Sequence, residues 1–123
     1  MSPETFFQKI ADGVDCTTAA VNVGQFTDAM TSALTAGKDI LCISFSSALS
    51  TTYQSACIAA EELRAEHPEA KIIVIDSLSA CRGQGMLIYR TVRERREKNL
   101  DIEALADFVR GTIQHQDHWF MVD

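Results

Sequence analysis

The chain has 123 residues, enough for one domain or a piece of one, and its 46% hydrophobic content is that of a globular protein with a single modest core. A net charge of −6 argues against non-specific nucleic-acid binding, which needs a basic face, but leaves room for a local anion site. No stretch approaches the roughly 20 apolar residues of a membrane span, and the N-terminus lacks a basic segment followed by an apolar one; the expectation is a cytoplasmic chain without a signal peptide.

Residues 3–11 read as a short helix, with Ser2 as cap, Pro3 in the first turn and Gly13 at the end. Phe6, Phe7 and Ile10 give it one apolar face. A small-residue loop, Cys16 to Val21, leads to Asn22, which is placed to cap a second helix. Val23, Phe26, Met30, Ala33 and Leu34 recur there at helical spacing, and Gly37 closes it. Residues 39–45 form the first clear strand.

That strand empties into Ser46-Ser47-Ala48-Leu49-Ser50-Thr51-Thr52, and a helix from Ser50 to Glu66 follows, ended by Pro68. Residues 71–75, Lys-Ile-Ile-Val-Ile, read as a second strand ending in Asp76 and Ser77. A turn-rich link through Gly83-Gln84-Gly85 precedes a long helix from about Gly85 to Asn99. Asp101 caps a last helix through Ile113, and residues 118–122 read as a third strand.

Strands alternating with helices, two of them continuous apolar runs, imply an α/β fold: a parallel, Rossmann-like sheet with helices on both faces. Such sheets bind ligands outside the carboxyl ends of their strands. Three strands are few for a doubly wound domain, so residues 1–123 are expected to be a single, incomplete α/β domain.

The hydroxyl cluster at the first strand's end is the candidate site. A strand that stops in serines and threonines and restarts as a helix gathers O–H and N–H groups around one point. The helix dipole gives that point partial positive charge, suited to a carboxylate or a phosphate. Ser50 is placed to cap the helix, with the amides of Thr51, Thr52 and Tyr53 beside it; plain N-capping explains Ser50 equally well. Ser47 reads as a turn residue, Ser46 is open to either role, and Thr18 alone carries no signal.

Other features read as structural. Cys16, Cys42, Cys57 and Cys81 have no CxxC or metal spacing and read as reduced thiols used as small apolar residues, Cys81 being the most exposed. Asp76 reads as a strand-end cap. Gly83-Gln84-Gly85 lacks the third glycine of a dinucleotide loop. His115 and His118 read as surface positions, and the run Arg90, Arg93, Arg95, Arg96 and Lys98 as a solvated helix face. No metal site and no cofactor are expected.

The segment from Ser46 to Ala56, SSALSTTYQSA, resembles the SSxLSGTYQSA signature of the DegV family of fatty-acid-binding proteins. Val74-Ile75-Asp76-Ser77 is similar to the family's VIDS strand end, and the segment from Ser79 to Gly85 is similar to its S-x-x-x-G-x-G link. Residues Thr18 to Asn22 fall where the family has TSQPS, and the segment from His118 to Asp123 resembles the strand leading to its second domain. The resemblance covers essentially the whole chain, as a portion of the family's N-terminal region that lacks the first strand and the C-terminal domain.

The resemblance implies that a long-chain fatty acid binds with its carboxylate held by the hydroxyls of Thr18 and Ser50. Thr17, Ser46 and Thr52 are further candidate pocket residues. It also implies a carrier, not an enzyme, that presents the acyl chain to a separate fatty acid kinase. Ala19 and Val21 replace the serine and proline of TSQPS, so Thr17 is the candidate to replace the lost donor. Thr51 stands where the family has glycine. Two other classes compete: a truncated half-domain without a ligand, stabilised as a homo-oligomer, and a small phosphate- or nucleotide-utilising enzyme. The latter lacks a Walker loop, a full GxGxxG and a base–nucleophile pair.

Overall fold

The computed structural model describes residues 1–117 and 119. Helix α1 (Pro3–Ala11) starts on Ser2, whose Oγ accepts from Thr5 N. It buries none of its residues, and the rings of Phe6 and Phe7 meet edge-on, 5.6 Å apart. Helix α2 (Val23–Thr35) opens on a full capping box: Asn22 Oδ1 accepts from Gln25 N, and Gln25 Oε1 accepts from Asn22 N, both at 3.0 Å.

Strands β1 (Ile40–Ser44) and β2 (Ile72–Asp76) pair in parallel, Ile40 opposite Ile72 through Ser44 opposite Asp76. Between them runs helix α3 (Thr52–Glu66), and after them come α4 (Cys81–Lys98) and α5 (Ile102–Ile113), the last capped by Asp101 Oδ1 on Ala104 N. The expected parallel α/β sheet is therefore present, two-stranded among the described residues. The third strand expected over residues 118–122 lies largely outside those residues.

Period-two alternation sorts the strand side chains onto two faces. Ile40, Cys42, Ile72 and Val74 pack with Phe26, Met30, Leu34, Ala60 and Leu63 under α2 and α3. Leu41, Ile43, Ile73 and Ile75 pack with Leu87, Ala106, Phe108, Val109 and Ile113 under α4 and α5. Both faces are covered, which is why both strands read as unbroken apolar runs. Ala56, Ala59 and Ala60 are fully buried and bring α3 close to the sheet.

Polar clasps hold both ends of the strand pair. At the amino ends, Lys71 N donates to Asp39 Oδ1 at 2.8 Å, and the Arg64 guanidinium donates twice to Ile72 O, at 3.0 and 2.6 Å. At the carboxyl ends, Ser77 N donates to Ser44 O at 3.1 Å and Ser46 N to Ser79 O at 3.0 Å.

Two helix starts differ from expectation. Helix α3 begins at Thr52, with Thr51 in the cap position and no side-chain cap bond, because Ser46 O already accepts from Leu49 N and Ser50 N and holds residues 46–50 in a turn. Ser50 Oγ instead accepts from Thr52 N at 3.2 Å. Helix α4 begins at Cys81, so Gly83 and Gly85 are helical and not part of a link. Ala80 O accepts from both Gly83 N and Gln84 N, and Gln84 Nε2 donates to Ile43 O at 3.0 Å, which ties this first turn to the sheet. Cys42 and Cys57 are half-buried, as small-apolar use requires, whereas both Cys16 and Cys81 are exposed.

Truncating a side chain that fills this interior removes transfer energy and leaves a cavity. Leu87→Ala, at a residue with no exposed surface, is expected to cost about 2–5 kcal/mol. Tyr89→Ala, two residues along the same helix and well exposed, is expected to stay within about 0.5 kcal/mol of the parent. Urea midpoints at constant slope measure both.

Candidate functional site

The residues after β1 are held by the end of β2. Asp76 Oδ1 accepts from Ser47 N at 3.1 Å and from Leu78 N at 3.0 Å, so one carboxylate oxygen fixes both strand-end loops. Ser77 adds a local turn, its Oγ accepting from Ser79 N and donating to Ser79 O, both at 3.2 Å. Leu78 and Cys81 have positive φ, 50° and 47°, where side chains are uncommon; the clasp on Asp76 accounts for the bend at Leu78.

With those loops fixed, Leu49, Ser50 and Thr52 border a cleft of about 630 Å³ beside the carboxyl end of β1. Its walls come from three places. Residues Thr18 to Val21 approach from the loop before α2, and Phe26 follows from α2 itself. Cys42, Ile43, Ser44 and Phe45 form the strand wall, and Leu49, Ser50, Thr52 and Gln84 complete the rim. Val21, Phe26, Ile43, Phe45 and Leu49 make the walls largely apolar, while hydroxyls concentrate at the start of α3.

Thr18 and Ser50, 32 residues apart in sequence, thus border one cavity. Ser50 Oγ and Thr52 Oγ1 share a hydrogen bond at 2.8 Å. Because Ser50 Oγ also accepts from Thr52 N, the pair presents two linked hydroxyls at the amino end of a 15-residue helix. Each hydroxyl keeps further donor or acceptor capacity for a charged group.

The remaining candidates sit differently. Thr17 is exposed and does not border this cleft. Ser46 is buried, its Oγ accepts from Ala48 N at 3.3 Å, and it too is absent from the wall.

Two wall residues carry polar groups that sequence reasoning passed over. Ser44 is 4% exposed and was hidden as the tail of an apolar strand; a polar residue at an inward position was the available signal. Gln84 was hidden in a segment read as a link, and only the helical start of α4 swings it against β1.

Cys42 is the one thiol on the wall. Burial, and then the neighbouring Cys57 thiol, pushes its pKa above the usual thiol value, so it stays protonated and behaves as an apolar lining group. A hydrogen bond with Cys57 raises the Tyr53 phenol in turn. Among the described residues, no group of three or more His, Cys, Asp or Glu side chains is placed to hold a metal ion, and no helix is long and apolar enough to cross a membrane.

A DegV domain-containing protein of Clostridium perfringens is 35% identical over 123 residues, covering 100% of this chain and 42% of that protein. One from Lactococcus lactis is 35% identical over 119 residues, covering 97% of this chain and 41% of its own length. The chain therefore spans about two fifths of the length of these curated relatives.

Among solved structures, a DegV family protein from Thermus thermophilus described for its fatty acid binding superimposes with a TM-score of 0.73 at 28% identity, over 93% of this chain and 39% of that one. A stearic acid-binding protein from Eubacterium ventriosum shares the fold with a TM-score of 0.77 at 24% identity, over 89% of this chain and 38% of its own. The family model described as "Uncharacterised protein, DegV family" matches residues 1–123. The chain belongs to the DegV family.

Proposed function

We propose that this chain binds a long-chain fatty acid in the cleft beside β1, with the carboxylate at Thr18 and Ser50 and the acyl chain along the apolar wall. The observation that carries this reading is the single cavity bordered by both hydroxyls and by Val21, Phe26, Ile43, Phe45 and Leu49. The Thermus thermophilus relative, described for fatty acid binding, supports the ligand class.

The division of labour follows from magnitudes. A charge-assisted hydrogen bond contributes about 1.5–3 kcal/mol. Each buried methylene contributes about 0.8 kcal/mol, so a dozen of them outweigh two hydroxyls. The hydroxyls set orientation and the greasy wall sets strength. Thr52 supports Ser50 through their shared hydrogen bond and adds an amide at the helix start.

The chain acts in this reading as a carrier that offers the carboxylate to a separate kinase. A head group held at the loop-lined rim, with its tail along the wall, leaves the reactive end nearest to an incoming partner.

A second reading, a half-domain held by self-association, draws on one observation. Met86, Ile88, Tyr89 and Val92 on α4 are each 40–62% exposed, a large apolar display for one helix. Sedimentation of the gently purified chain, with mass spectrometry of any lipid extracted from it, separates the two: a dimer without bound lipid favours the second reading, and lipid retained by a monomer favours the first.

Ser50→Ala is expected to weaken oleate binding about 10-fold or more by titration calorimetry, with the far-ultraviolet dichroism spectrum unchanged. Equal affinity in parent and variant removes Ser50 from the site. Thr18→Val is expected to act in the same direction.

Occupancy has a second readout. Bound oleate is expected to slow alkylation of Cys42 while leaving the exposed Cys16 and Cys81 at their free rates, as followed by peptide mass mapping. Equal protection of all three, or of none, speaks against a ligand in this cleft.

A further inference from the structure

We propose that Ser44 is a third hydroxyl of the head-group site, whose buried Oγ turns about χ1 to donate to an arriving carboxylate. The inference rests on the fatty-acid reading of the same cleft and deepens it.

Ser44 closes β1 and is 4% exposed. Its Oγ is shielded from solvent and has no hydrogen-bond partner among the described residues. Buried hydroxyls in folded proteins are nearly always paired, so an orphan calls for a physical reason. Alanine at this position would spare the molecule the cost of a desolvated, unmatched hydroxyl.

The backbone of Ser44 is anchored. It pairs with Asp76 in the sheet register, and its carbonyl accepts from Ser77 N at 3.1 Å. Its freedom lies in χ1, which moves between staggered wells. Turning the hydroxyl forfeits no hydrogen bond, because it makes none. The residue already borders the cleft that Thr18 and Ser50 share.

Alternation along β1 sets what lies beneath. Ser44 and Cys42 are two residues apart on one face of β1, and both border the cleft. Polarity along this wall falls from the Ser44 hydroxyl to the Cys42 thiol, in the order that an acid's head and first methylenes require. Cys42, kept protonated by burial, adds no charge that would repel the head group. Ser50 and Thr52 approach from the helix side and Thr18 from the loop side, which leaves the strand side to Ser44.

The chemistry selects an ionised carboxylate over its neutral ester, since a hydroxyl donated to a charged oxygen gains more than one donated to an ester carbonyl. Oleate and methyl oleate are therefore the probes, with the parent chain, Ser44→Ala, Ser44→Cys and Ser50→Ala compared by calorimetry and by thermal unfolding without ligand.

Ser44→Ala is expected to bind oleate about 5- to 10-fold more weakly, to bind methyl oleate as the parent does, and to melt a few degrees higher when empty. Ser44→Cys, of similar shape with a weaker donor, is expected to lose oleate affinity in the same direction and serves if the alanine variant fails to fold. Unchanged oleate affinity in Ser44→Ala, with Ser50→Ala weakened, overturns the role of Ser44 and leaves the fatty-acid reading standing. Equal losses for acid and ester also overturn it, since they mark a serine that only shapes the wall. A parent chain that binds neither probe overturns the fatty-acid reading, and this inference with it.

Discussion

One carboxylate oxygen organises the functional end of this molecule. Asp76 Oδ1 takes the amides of Ser47 and Leu78 together, joining the loop after β1 to the loop after β2. Parallel strands carry both chain ends to the same side of the sheet, and without such a link the two loops would be free to diverge. The bonds from Ser77 N to Ser44 O and from Ser46 N to Ser79 O extend the pairing past the last register pair. The result is a rigid base for the turn from Ser46 to Ser50. Everything the cleft presents from the helix side, Ser50 and Thr52 above all, takes its position from that base.

The same arrangement explains why α3 starts without a side-chain cap. Ser50 could have capped the helix, but Ser46 O draws its amide into the preceding turn. Its hydroxyl then serves Thr52 N and Thr52 Oγ1, one step into the first turn. Ser50 thus satisfies an amide at the helix start and borders the cleft at the same time.

Much of this was legible in the residues, and the failures have definite causes. The strand runs of Ile40 to Ser44 and Ile72 to Asp76 stood out because burial on both faces leaves no polar alternation. Ser2, Asn22 and Asp101 were readable as caps because their short oxygens reach an amide three residues on, and each does. The start of α4 was not readable: two glycines within three residues lower local helix propensity, and the bond from Gln84 to Ile43 that offsets this spans 41 residues. That Thr18 and Ser50 border one cavity followed from no spacing rule; it entered through the resemblance to DegV proteins. The orphan hydroxyl of Ser44 is invisible to sequence in principle, since having no partner is a property of the surroundings.

The open form of the cleft bears on how much this chain can do unaided. In the proposed reading, a dozen fully buried methylenes would contribute about 10 kcal/mol, but an acyl chain in a cleft buries only the sides that face its walls. Halving that burial leaves about 5 kcal/mol, which must also cover the loss of translational freedom on binding. Polar contacts then carry a larger share of the affinity than they would in a closed tunnel. In the proposed reading, fuller enclosure of the acyl chain raises affinity chiefly through its methylenes, while the hydrogen bonds proposed for Thr18, Ser44 and Ser50 stay nearly constant.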